Sequence, residues 1–332
     1  MSVKLLSRPA YVVDPETLEP YPESRNVFGR RAMDSAASFF GRSQDTVALA
    51  RARAGEPGYG QVEAAMDGAS WTAAEHFHGA YGLEPLGEAG RLLRDMGRYT
   101  VTDRAEMSAQ VKTAARLYGA GKTGICKLDR RWVYADDRRG QLISIPDELT
   151  YAVVMAIPMD VPAIGETPTY AAAAASGAGY SRMAVAASSL AQFIRNLGYR
   201  ALAMGNDTAL SIPLAVDAGL GEMGRHGLLI TPEYGSCVRL CKVFTDLPLL
   251  PDGPITMGIE EVCRTCRRCA EACEVGAISE APEPSFDVAC VSTRRGVRKW
   301  AVNSDLCYTF WLDNGTNCST CIAVCPFTPK GS

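Results

Sequence analysis

The sequence predicts an α+β protein, an α/β core followed by a small cysteine-rich module. Three observations carry this expectation. Short apolar runs alternate with helical periodicity between about 115 and 250. From Pro251 onward the composition shifts to Cys, Arg, Glu and Pro. Ten of the twelve cysteines fall between Cys241 and Cys325, and only Cys126 lies in the first 236 residues. At 332 residues the chain exceeds one typical core. The parts expected are 1–114, 115–250 and 251–332.

Residues 1 to about 80 read as loops and short helices, broken by Pro9, Pro15, Pro20, Pro22 and Pro57. Pro85 to Met96 and Arg104 to Tyr118 are helical in period. This N-terminal region is expected to cover the core. Strands are expected at Thr123–Leu128, Tyr151–Ile157, Ala201–Met204, Leu228–Thr231 and Val238–Phe244. A long helix, about Ser181 to Leu197, lies between the second and third. Gly219-Leu220-Gly221-Glu222-Met223-Gly224 has the letters of a dinucleotide fingerprint. Pro213 to Leu220 before it reads as helix, so the strand–turn–helix context is missing.

A hydrophobic fraction of 47% and a charged fraction of 21% belong to a globular chain and exclude dominant disorder. The formal net charge of -3 gives no strong attraction to nucleic acid or an anionic membrane. The charge-free stretches Thr167–Ser181 and Asn314–Pro329 fall short of the roughly 20 apolar residues of a span. Met1 to Pro9 has no apolar region of a signal peptide. Arg30-Arg31 and Arg130-Arg131 have no long apolar run behind them and read as surface charge. The expectation is a cytoplasmic protein with no nucleic-acid or membrane partner.

Cysteine spacing carries the chemistry. Cys263-x2-Cys266-x2-Cys269-x3-Cys273 is followed by Cys318-x2-Cys321-x3-Cys325-Pro326, with Cys307 ahead of the second run. Two-residue gaps let three thiolates converge on one cubane, and in two-cluster ferredoxins the fourth cysteine of each run serves the other cluster. Cys263, Cys266, Cys269 and Cys325 are therefore assigned to one [4Fe–4S] cluster, and Cys273, Cys307, Cys318 and Cys321 to a second. Zinc would prefer paired C-x2-C groups or a closing histidine, and the histidines are His76, His78 and His226 only. Glu274 stands where the bacterial run has proline. Cys126, Cys237, Cys241 and Cys290 are expected to be buried apolar residues.

Several further motifs occur in order. They are Gly198-Tyr199-Arg200, Asn206-Asp207, Ala218-Gly219-Leu220-Gly221-Glu222-Met223-Gly224-Arg225-His226-Gly227, Thr231-Pro232-Glu233-Tyr234-Gly235, Val238-Arg239 and Thr245-Asp246-Leu247-Pro248-Leu249. Together with the cysteine runs, the stretch from about 115 to 327 resembles the reductive dehalogenases. That resemblance implies a nitroreductase-like core binding base-off cobalamin, packed on a ferredoxin-like module with two [4Fe–4S] clusters. Met223, Gly224, His226 and Gly227 would then cradle the cofactor, or form only a tight turn that needs glycine.

The same resemblance places a proton-donating tyrosine near the start of a helix, at Tyr180, with Asn206 lining the pocket and Arg239 as the basic partner. The chemistry stands without the family. A cation within about 4–6 Å favours an ionised phenol, and arginine keeps its charge when desolvated. Strand alternation puts Cys237, Arg239 and Cys241 on one face, and Val238, Leu240 and Lys242 on the other. The plainer readings are an aromatic packing a helix end, a surface ion pair and a turn at Asn206-Asp207. The function implied is removal of halide from an organohalide, an aromatic one favoured. Electrons would come through the clusters from an external ferredoxin, flavodoxin or reductase. Two alternatives are an epoxyqueuosine reductase acting on tRNA and an iron–sulfur electron carrier without cobalamin. Asp207-Thr208-Ala209-Leu210-Ser211-Ile212-Pro213 lacks the Glu-Arg ending of the former's catalytic motif.

Overall fold

The computed structural model describes residues 2–76 and 97–330. The helix expected over Pro85–Met96 lies outside the described residues. The N-terminal region holds β1 (Lys4–Leu5), α1 (Val27–Met33), α2 (Asp45–Ala54), α3 (Gln61–Ser70) and α4 (Thr72–His76). Next come α5 (Arg104–Leu117), β2 (Lys122–Lys127), β3 (Tyr151–Pro158), α6 (Val161–Gly165) and α7 (Tyr170–Asn196). The core closes with β4 (Ala201–Met204), α8 (Ser211–Asp217), β5 (Glu222–Met223), β6 (Leu229–Ile230) and β7 (Val238–Thr245). The module contains β8 (Ile255–Thr256), α9 (Ile259–Thr265), α10 (Arg268–Glu271), α11 (Ser304–Asn314) and α12 (Thr320–Ala323).

Four strands pair in the order β2-β3-β7-β4, every pair antiparallel. The central strand β3 is buried along nearly its whole length, which is why its sequence is a continuous apolar run. Its side chains divide by strand alternation. Val153, Met155 and Ile157 pack with α5 and α7 on one face, and Ala152, Val154 and Ala156 pack with α8 on the other. On β7, Arg239 and Cys241 share the α7 side, whereas Val238, Leu240 and Phe244 join the α8 side. Each expected strand begins and ends within one residue of its observed bounds.

Helix α7 departs from expectation. It begins at Tyr170, eleven residues before the predicted Ser181, and places Tyr180 mid-helix rather than near a start. Ala171 to Ala175 are the strongest helix formers, but they lack the large apolar residues that mark a periodic face. Gly177 serves a close crossing: a Cβ there would lie 2.0 Å from Ser70 Oγ and 2.7 Å from Trp71 Nε1.

The boundary expected at 114/115 falls inside α5, whose Met107 and Val111 belong to the core. Asp103 caps this helix by accepting from the Ala105 and Glu106 amides. The N-terminal region also covers the module, not the core alone. Strand β1 pairs with β8, Val13 bridges Val297, and Arg30 meets Asp305 at 2.6 Å. Among the described residues no helix is long and apolar enough to cross a membrane.

Candidate functional site

Three side chains named from the sequence converge on one face of α7. Asn206 Nδ2 donates to the Tyr180 phenol oxygen at 2.7 Å. The Arg239 guanidinium carbon stands 4.9 Å from the centre of the Tyr180 ring. Arg239 Nη2 donates to Ser176 Oγ at 2.8 Å. Ser176 and Tyr180 are one helical turn apart, so a single cation spans both. Arg239 Nε is buried without a partner in the protein. Trp71 stacks on Tyr180, with centroids 5.0 Å apart and planes at 25°.

Asn206 owes its place to a buried polar scaffold. Lys242 is fully buried on β7. Its Nζ donates to the Gly205 carbonyl at 2.6 Å, the Asp207 carbonyl at 3.1 Å and Ser211 Oγ at 3.1 Å. Burial pushes its ammonium down to about 8, against a smaller opposing pull from Asp207. Asp207 Oδ1 accepts from the Gly205 amide at 2.8 Å. The next residue, Thr208, has φ 69°, a costly conformation for a β-branched side chain. Its amide faces Glu23 Oε2 at 3.4 Å, and Glu23 in turn holds Arg138 Nε at 2.7 Å.

The cysteines form two neighbouring sets. Cys263, Cys266, Cys269 and Cys325 line one small gap, together with Arg225, His226, Ile230, Pro326 and Phe327. Burial raises the Cys269 thiol to about 12, and the neighbouring Cys263 and Cys325 add to it. In the second set burial raises Cys307 to about 12, with Cys318 and Cys273 adding. Cys321 is raised for the same reason, and the neighbours that add are Cys307, Cys318, Cys269 and Cys273. Backbone amides already point at two of these sulfurs, Ala277 N to Cys273 Sγ at 3.3 Å and Thr320 N to Cys318 Sγ at 3.4 Å. The residues fit cubanes, since thiols arranged around a gap suit an occupant larger than a proton. Cys126, Cys237 and Cys241 are buried as expected, whereas Cys290 is only partly buried beside Thr293. It sits in a loop of the module.

Residues 127–249 match the family described as reductive dehalogenase subunit, and residues 262–328 match the 4Fe-4S dicluster domain. The tetrachloroethene reductive dehalogenase of Dehalobacter restrictus is 38% identical over 264 residues, covering 67% of this chain and 48% of that protein. The chain belongs to the reductive dehalogenase family. It spans about half the length of the curated relatives it matches.

Among solved structures, one titled a reductive dehalogenase that suggests a mechanism for B12-dependent dehalogenation has a TM-score of 0.76 at 22% identity. It covers 99% of this chain and 44% of that one. The catabolic reductive dehalogenase NpRdhA in complex with 3-bromo-4-hydroxybenzoic acid has a TM-score of 0.74 at 22% identity, with the same coverage. Both share the dehalogenase fold. The epoxyqueuosine reductase of Listeria monocytogenes matches only 35% of the chain, which does not favour the tRNA-modifying alternative.

The remaining predicted residues lie on the β5–β6 hairpin. Met223, Gly224 and Gly227 form its tip, where Gly227 has φ 74° and donates to the Gly224 carbonyl at 2.9 Å. The His226 ring turns the other way, into the gap between the first four cysteines. Burial lowers it to about 4. Sequence reading missed Trp71, Glu23 and the role of Lys242. Only Lys242 left a signal, a second charge beside Arg239 in an otherwise largely apolar strand.

Proposed function

We propose that the chain catalyses reductive dehalogenation, R–X + 2 e⁻ + H⁺ → R–H + X⁻. The observation carrying this is the convergence of Tyr180, Asn206 and Arg239 in a chain that also holds two ferredoxin-type cysteine sets. Cys263, Cys266, Cys269 and Cys325 hold one [4Fe–4S] cluster, and Cys273, Cys307, Cys318 and Cys321 the other. An external ferredoxin, flavodoxin or reductase supplies the electrons.

Tyr180 is the proton donor. Asn206 donates to the phenol oxygen, which leaves the phenolic hydrogen free to point at substrate. Once that proton has gone to carbon, the guanidinium over the ring stabilises the phenolate that stays behind. Arg239 is held in place by Ser176, and Asn206 by the loop on Lys242. When bound, cobalamin would supply the reduced metal that cleaves the carbon–halogen bond. The partnerless Arg239 Nε and the strained Thr208 suit a site that closes around such a group. The backbone tip at Met223, Gly224 and Gly227 would lie against it. With Trp71 extending the Tyr180 surface, a halogenated aromatic is the substrate class.

The test is anaerobic reconstitution with iron, sulfide and cobalamin, followed by metal analysis and halide release from a bromophenol and from tetrachloroethene. About eight irons, one cobalt and release from the bromophenol are expected. Tyr180→Phe should keep both metals and slow release about 10²- to 10⁴-fold. Full activity in that variant would remove Tyr180 from the reaction. Iron without cobalt would leave an electron carrier.

A further inference from the structure

His226 combines three features on the β5–β6 hairpin. Its Nδ1 accepts from the Leu228 amide at 3.1 Å, so the neutral imidazole carries its hydrogen on Nε2. The residue is only 5% exposed, and Nε2 has no partner in the protein. The ring lines the gap shared by Cys263, Cys266, Cys269 and Cys325. A buried N–H facing no acceptor is rare and calls for an occupant.

Apart from the cysteines, no side chain lining the gap accepts a hydrogen bond. Ile230, Pro326 and Phe327 present apolar side chains there. The Arg225 guanidinium is itself a donor, already engaged by the carbonyls of Cys263, Ser279 and Ala281. Sulfur is the acceptor chemistry left. The hairpin is shaped to seat the ring, because a Cβ at Gly224 would come 3.0 Å from His226 Cε1.

We propose that His226 donates from Nε2 to a sulfur of the cluster held by Cys263, Cys266, Cys269 and Cys325, and so raises that cluster's reduction potential. The proposal rests on the cluster assignment above. The step concerned is one-electron reduction of the cluster by the external donor. Reduction adds negative charge to the sulfurs, and a hydrogen bond stabilises that form more than the oxidised one. His226 is a positioning and tuning residue and is not a ligand.

The full chain, reconstituted with iron and sulfide alone, is titrated against potential while the reduced clusters are followed by electron paramagnetic resonance. His226→Phe should retain about eight irons and lower one of the two midpoints. The expected shift is about tenfold in the reduction equilibrium, or about 59 mV for one electron. His226→Gln, which can still donate, should move that midpoint back toward the wild type. Wild-type protein carrying ¹⁵N-labelled histidine should show a nitrogen coupling to one reduced cluster. Unchanged midpoints in an iron-replete His226→Phe protein overturn the proposal. Should that variant lose iron, absence of the nitrogen coupling in the wild type overturns it alone. A wild type with four irons or fewer instead sinks the cluster assignment, and the proposal with it.

Discussion

A lysine ammonium with no exposed surface is costly unless acceptors surround it, and Lys242 has three. Two of them are the carbonyls on either side of Asn206, so the charge fixes the loop that aims the Asn206 amide at Tyr180. Lys242→Met keeps the apolar length but leaves the Gly205 carbonyl unpaired, while the Asp207 carbonyl keeps the Ala209 amide at 2.7 Å. The expected loss is about 1–3 kcal/mol in chemical denaturation, with halide release falling further than substrate affinity. Tyr180, Asn206 and Arg239 were legible because each sits in a recognisable local motif, and the structure brings the three together. Their supports were not. Glu23 and Trp71 reach the site from more than a hundred residues away, and no local spacing announces such contacts.

At the scale of elements, strands were easy to read and the main helix was not. Strands β3 and β4 of the central sheet are apolar runs with packing on both faces, so burial and sequence point the same way there. The first third of α7 is built from alanine, serine and glycine because α3 and α4 cross it closely. Small residues give good packing there and no hydrophobic periodicity. Gly177→Ala tests that crossing. A methyl group would meet Ser70 and the Trp71 indole, which stacks on Tyr180. The variant should lose about 1–3 kcal/mol of stability. Its halide release should fall although no catalytic atom changes. A thermal melt beside an activity assay checks both.

Across the whole molecule, the N-terminal segment ties the parts together. Tyr11 donates to Asp217 Oδ1 at the end of α8 at 2.7 Å, and its ring meets Trp132 edge-on at 5.3 Å. Burial raises Asp217 to about 6, and Asp129 adds to that. A raised carboxyl contributes stability at low pH that is lost as pH climbs through about 6. Asp217→Asn keeps an acceptor for Tyr11 without the charge. Its melting point should rise relative to the wild type between pH 5 and 7.5, and a constant difference would reject the assignment. The three-part division read from composition placed the boundaries in sequence, but it could not show that the first residues close over the last part. Only pairing in space reveals that, as where Lys4 lies opposite Thr256. The pairing has a consequence for biosynthesis. At about 5–20 residues per second, Lys4 leaves the ribosome roughly 13–50 s before its partner strand is made. The cysteine runs that follow that strand emerge later still. The leading segment must therefore wait, undocked, until the last part of the chain is made, so cluster delivery and final closure fall at the same late moment of assembly.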